Sequence, residues 1–129
     1  MTGKDGKPLN LDVASMRRWA ERYAEQVSIP IDVAYIERLL ARGAVTEERV
    51  LTILATQNPK PVLLCRDIND DGDEIVDGNH TYVAFGLAWA QAKRSGMALP
   101  DTLPRVNAYQ LQPEHWRRFV IPPSHLVRR

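Results

Sequence analysis

A chain of 129 residues suits one hydrophobic core better than two, and 44% hydrophobic with 26% charged residues is the composition of an ordinary globular domain. A net charge of +1 gives no global argument for nucleic acid or for an anionic membrane as partner. The single cysteine, Cys65, excludes an intramolecular disulfide; with no apolar run of membrane-spanning length and no hydrophobic leader in "MTGKDGKPLN", the expectation is a cytoplasmic protein without a membrane partner.

The first ten residues, rich in Gly and Lys, read as a flexible lead-in. Across 11–26, "LDVASMRRWAERYAEQ" spaces Leu11, Ala14, Trp19 and Tyr23 near the helical period, which predicts an amphipathic helix. "VSIPI" (27–31) is β-branched and interrupted by Pro30, so a brief strand is expected. "DVAYIERLLARG" opens on a capping Asp32 and closes on Gly43. "TEERVLTILATQN" (46–58) offers Thr46 as cap and two acids in its first turn, and Pro59 and Pro61 end the helical stretch.

The second half changes rhythm. "PVLLCR" (61–66) predicts a buried strand, "DINDDGD" a turn and "EIVD" a second strand, together a hairpin. "HTYVAFGLAWAQAKRSG" predicts a helix, apolar on nearly every side for three turns and therefore expected at the centre of the core. "LPRVNAYQL" (103–111) reads as a strand with Arg105, Asn107 and Tyr109 on one face and Val106 and Ala108 on the other. "PEHWRRFV" starts a short helix with proline at its first position, and "IPPSHLVRR" reads as a tail. The expected class is α+β, a small mixed sheet with packed helices plus an N-terminal helix. The expected segments are 1–26, 27–121 and a basic tail, 122–129.

Charge is distributed unevenly. Asp67, Asp70, Asp71, Asp73, Glu74 and Asp77 surround the hairpin, whereas Lys93, Arg94, Arg105, Arg117, Arg118, Arg128 and Arg129 dominate the last third. Such a pattern marks either a binding face or two solvated surfaces. The stretch "IVDGNHTYVA" (75–84) carries the chemistry. It places Asp-Gly-Asn-His-Thr between a strand and a helix, where free N–H groups and the positive end of the helix dipole form an anion site. His80 and Thr81 would add side-chain donors. The plainer alternative is that Asp77 or Asn79 caps the helix and His80 makes a structural hydrogen bond.

An apolar strand, an acidic turn, "EIVDGNHTYVAFGLA" and then "LPRVNAYQL" resemble the ParB/sulfiredoxin-like superfamily over roughly residues 27–120. Its members carry an Asp-Gly-x-His-Arg or Gly-Cys-His-Arg motif at this turn and bind nucleotide phosphates there. They include CTP-hydrolysing partition proteins, ATP-dependent sulfiredoxins, free-serine kinases and small phage or plasmid proteins. The resemblance implies a nucleotide partner, ATP or CTP with Mg²⁺. Asp77 and His80 would be the catalytic pair, Gly78, Asn79, His80 and Thr81 would cradle phosphate, and Asp77 would hold the metal. Two positions depart from the pattern. Asn79 stands where sulfiredoxin has its catalytic cysteine, which argues against sulfinic-acid reduction. Thr81 replaces the arginine whose fork clamps phosphate, leaving Arg105, Lys93 or Arg94 as candidate substitutes.

A ParB-type reading also predicts a helix-turn-helix module downstream, for which the residues after 120 are expected to be too few. The helices at 32–42 and 46–58 imitate one, but their second helix opens with two acids and offers only Arg49. Asp67, Asn69, Asp71 and Gly72 match the start of a calcium loop, yet its twelfth position is Gly78 instead of glutamate, and the same residues suit any tight hairpin. His115 and His125 lack partners at metal or triad spacing and read as surface residues, while Cys65 reads as a buried strand residue. The expected function is nucleotide phosphate binding at the DGNHT turn, with phosphoryl transfer or hydrolysis in view. The alternatives are an inactive ParB-like module that binds a protein partner or DNA, and a ParB-like nuclease.

Overall fold

The computed structural model describes residues 2–54, 60–70, 72–96 and 105–122. It is a mixed α+β fold with a four-stranded sheet of order β1-β4-β2-β3, where β1 is Glu25–Pro30, β2 Val62–Asn69, β3 Gly72–Asp77 and β4 Arg105–Leu111. The helices are α1 (Val13–Tyr23), α2 (Val33–Ala41), α3 (Glu47–Leu54), α4 (Asn79–Arg94) and α5 (Pro113–Trp116), the last followed by a 3₁₀ turn, Arg117–Phe119. Among the described residues no helix is long and apolar enough to cross a membrane. The chain groups into two compact units. Met1–Gln26, Leu63–Asp77 and Tyr109–Arg129 form the first, and Val27–Val62 with Gly78–Ala108 the second.

The first unit is built around Met16, Ala20, Leu63, Cys65, Ile68, Leu111 and Trp116. Asp12 caps α1, accepting from Ser15 N at 3.2 Å, and Met16 and Ala20, one turn apart, supply the buried stripe. β2 runs three residues beyond the expected strand, because the bulge around Asp67 (φ +52°) keeps the ladder going: Asp67 N donates to Asp73 Oδ1 at 2.8 Å. Trp116 Nε1 donates to the Arg66 carbonyl at 2.9 Å, fixing α5 to that bulge. The N-terminal residues form an ordered turn instead of a loose lead-in. Gly3 N donates to the Lys7 carbonyl at 2.7 Å, and Thr2 pairs with Pro8. Lys4 Nζ reaches Asp67 Oδ2 at 2.9 Å.

In the second unit, Asp32 caps α2 by accepting from Ala34 N at 2.9 Å, and Gly43 (φ +68°) closes it, as the sequence predicts. Thr46 caps α3, with Arg49 N at 3.4 Å from its hydroxyl. The predicted continuation of this helix over 55–58 lies outside the described residues. α4 buries Thr81, Tyr82, Val83 and Ala84. It is not enclosed on all sides, however. Phe85 is 36% and Leu87 45% exposed, so the sequence expectation of a helix at the centre of the core is corrected to one with a buried first turn and an open apolar flank. Gly86 lets α2 approach: a Cβ there would sit 2.6 Å from Ile36 Cδ1. β4 shows the predicted alternation over its first four residues, exposed at Arg105 and Asn107 and buried at Val106 and Ala108, but Tyr109, expected on the exposed face, is half-buried against the core of the first unit.

Candidate functional site

β3 ends at Asp77 and α4 begins at Asn79, so Gly78 alone turns the chain. Gly78 has φ +98°, and a Cβ would lie 2.7 Å from Val62 Cγ1 and 3.1 Å from Val62 Cα. A side chain would add backbone strain to a steric clash, which makes glycine obligatory. The Gly78 carbonyl accepts from Tyr82 N at 3.0 Å, the first bond of the helix. Gly78 is thus the capping residue and brings no side chain to the free N–H groups. Those of Asn79, His80 and Thr81 open α4 without intrahelical acceptors, at the positive end of its dipole.

α4 is anchored one turn further on. The Tyr82 hydroxyl donates to the Pro30 carbonyl at 3.2 Å and accepts from Asp32 N at 2.6 Å, while its ring meets Tyr35 edge-on at 5.3 Å. Burial, the largest cause, raises the Tyr82 pKa above the usual phenol value.

His80 Nε2 accepts from Thr46 N at 3.1 Å. A ring nitrogen that accepts carries no proton, so the imidazole is neutral with its hydrogen on Nδ1. Burial first, and the nearby charge of Arg49 second, lower the His80 pKa below that of a free imidazole. The ring therefore makes the structural hydrogen bond of the plainer alternative through one nitrogen and keeps a donor on the other. Asn79 Oδ1 is a buried acceptor without a hydrogen-bond partner in the structure. Thr81 as a residue is only 6% exposed.

The other expected site residues are engaged elsewhere. Arg105 Nε donates to Ser28 Oγ at 2.9 Å and its Nη2 donates to the Ser28 carbonyl, tying β4 to β1. Among the described residues no hydrogen bond joins Arg105 to residues 78–81. Lys93 and Arg94 occupy the last turn of a 16-residue helix, about 20 Å along its axis from Asn79, beyond the reach of any side chain. Lys93 instead sits 5.0 Å over the Trp89 ring.

Asp77 belongs to the first unit, and Gly78, Asn79, His80, Thr81 and Arg105 to the second. Asp77 Oδ2 accepts from Arg17 Nε at 2.7 Å, a pair in which the arginine side chain is 16% exposed and the aspartate 40%. A guanidinium on this oxygen competes with a divalent cation for it. Among the described residues no group of three His, Cys, Asp or Glu side chains could hold a metal ion. Sequence reasoning missed Arg17. It looks like one more exposed helix charge, and no local pattern connects it to a residue 60 positions away.

The hairpin acids that imitate a calcium loop are held by protein donors. Asp67 pairs with Lys4, and Asp70 accepts from Asp5 N through both oxygens at 3.0–3.1 Å. Asp73 Oδ2 forms an ion pair with Arg66 across 2.8 Å while its Oδ1 accepts from Asp67 N, and Glu74 accepts from Asn69 Nδ2 at 3.1 Å. Asp71 lies outside the described residues. His115 is corrected from a surface residue to a half-buried cap. Its Nδ1 accepts from Gln112 N at 3.2 Å and its ring lies 5.0 Å from that of Trp19. Cys65 is fully buried, as expected, 3.8 Å from the Met16 sulfur, and burial pushes its thiol up to about 12.

Comparison of the chain with protein-family models, with curated proteins and with solved structures finds no match.

Proposed function

We propose that this protein binds the phosphate of a nucleotide, ATP or CTP, at the start of α4. The observation that carries the reading is the Gly78 junction. An obligatory glycine starts a 16-residue helix with no side-chain cap of its own, which leaves its first N–H groups for an outside anion. The N–H groups of Asn79 and His80, with His80 Nδ1–H, supply donors to phosphate oxygens. Asn79 Oδ1, buried and unpartnered, accepts from a ligand hydroxyl or amino group, a donor that the sugar and base of a nucleotide supply. The likeness to the ParB/sulfiredoxin-like superfamily supports the same location.

The reading is of binding in preference to turnover. Phosphoryl transfer needs cations where charge develops, and the candidates do not offer them: Arg105 holds Ser28, and Asp77 is matched by Arg17. Calorimetric titration of ATP, CTP and GTP into wild type and Asn79→Asp tests the proposal. The substitution puts a negative charge in the first helical turn, where it favours the helix but repels phosphate. Loss of nucleotide binding in a variant that still melts cooperatively supports the reading; equal binding by both proteins, or none by wild type, refutes it.

The second reading, a module that binds a protein partner, is favoured by a different observation. In the second unit Val33, Leu40 and Leu51 are 57–59% exposed, and Phe85 and Leu87 add to that apolar surface. Duplex DNA is less well served, since α3 begins with Glu47 and Glu48.

A further inference from the structure

In the first unit, α1 and the 3₁₀ turn after α5 lie side by side, held by backbone bonds from Asp12 N to the Phe119 carbonyl at 2.8 Å and from Ile121 N to the Asn10 carbonyl at 2.8 Å. Trp19 sits at this seam, its ring 5.7 Å from Tyr23, 5.0 Å from His115 and 6.2 Å from Phe119. Guanidinium groups cover the rings. Arg118 lies 4.7 Å over Trp19, and Arg22 lies 6.0 Å from the centre of Tyr23. Arg18 is one turn before Arg22 on the same helical face, and Arg18, Arg22 and Arg118 are all exposed. Met16 and Ala20 bury one face of α1 and fix it on its core; Trp19 is half-buried against that core, and Tyr23, three residues on from Ala20, lies at its edge beside the exposed Arg22.

Tyr23 is the informative member. It is 67% exposed, the most exposed large hydrophobic side chain among the described residues, and it stands at the end of a supported aromatic cluster. A packing role would bury that ring, and a merely solvated face would not need it. Rings flanked by arginines are what a single-stranded nucleic acid requires: a π-face for a base, with cations beside it for the backbone phosphates. An acidic peptide would use the arginines and leave the ring idle. A duplex hides its base faces and would do the same.

We infer that the α1 and 3₁₀-turn face of this protein binds single-stranded nucleic acid, with a base stacked on Tyr23 and phosphates on Arg18, Arg22 and Arg118. This surface is separate from the nucleotide reading of α4 and does not depend on it.

The test is fluorescence anisotropy with a labelled oligothymidine of about 15 nucleotides, enough to cover one such face, against the full chain. Competitors are a duplex of the same length and polyglutamate. Binding is expected to weaken roughly 5- to 160-fold in Tyr23→Ala, the range for loss of one stacked base. Arg22→Ala and Arg118→Ala should each reduce the salt dependence by about 0.7 in the log–log slope, one phosphate contact fewer on a single strand. Tyr23→Ala removes only an exposed ring, so its melting temperature should match wild type. No binding of the oligonucleotide at low salt, unchanged affinity in Tyr23→Ala, or stronger competition by duplex or by polyglutamate would each overturn the inference. The last would assign the face to an acidic protein.

Discussion

Two neighbouring segments, the acidic hairpin at 67–77 and the glycine-led start of α4 at 78–81, make opposite impressions in sequence and in structure. The hairpin carries the louder signal, six acids in a run that opens like a cation loop. In the structure its described acids are taken by Lys4, Arg17, Arg66, Asn69 and backbone N–H groups. The start of α4 is a short polar interruption by comparison, yet it keeps donors open because its capping residue must be glycine. A dense cluster of charge can therefore be a closed account of ion pairs and turn bonds. A helix start without a side-chain cap is a standing demand for an acceptor.

The contrast can be broken at several points, the strongest being Gly78. Gly78→Ala forces a Cβ against the Val62 backbone at φ +98° and is expected to cost about 2–4 kcal/mol in denaturant unfolding. A loss below about 0.5 kcal/mol would mean that the junction relaxes and that the open helix start is not imposed by packing. Tyr82→Phe comes next. It leaves Asp32 N and the Pro30 carbonyl without their shared partner, an expected loss of about 1–2 kcal/mol by the same measurement.

A smaller effect tests the closed side of the comparison. A double-mutant cycle of Arg17→Ala and Asp77→Asn should return a coupling of about 0.5–1 kcal/mol, because the pair is short but the aspartate is 40% exposed. Zero coupling would release Asp77 for other chemistry. Smallest of all, adding calcium should shift the melting temperature by less than about 1 °C, since a cation stabilises only what it binds. A larger upward shift would reopen the hairpin as a metal loop.

The His80 pKa gives a pH signature on the open side. It is depressed by burial and by Arg49, so between its folded value and about 6.5 the unfolded chain binds a proton that the folded chain refuses. Stability should be full above that window and fall as the pH drops through it, because protonation at Nε2 also removes the acceptor for Thr46 N. His80→Gln should flatten this stretch of a pH series of thermal melts. An unchanged slope would place the titration elsewhere.

Local chemistry made much of the fold legible. Asp32, Gly43 and Thr46 announced their helix ends, the alternation in β4 announced its faces, and the hairpin followed from its turn residues. What sequence could not show arises from contacts between distant residues. Arg17 meets Asp77 and His80 meets Thr46 across dozens of positions, and neither pairing leaves a periodic trace. The open flank of α4 escaped for a related reason. Apolar residues on all sides of a helix signal burial only if enough neighbours exist to cover them, and at Phe85 and Leu87 they do not. The glycine of the DGNHT turn was legible as a tight approach; its partner, Val62, was not.

The most direct measurement is an amide-resolved NMR titration of the full chain with ATP and with CTP. The account predicts that the N–H signals of Asn79, His80 and Thr81 shift first and saturate together, with the His80 Nδ1 environment changing alongside them. Nucleotide-dependent shifts that spare residues 79–81, or a spectrum indifferent to both nucleotides, would contradict it.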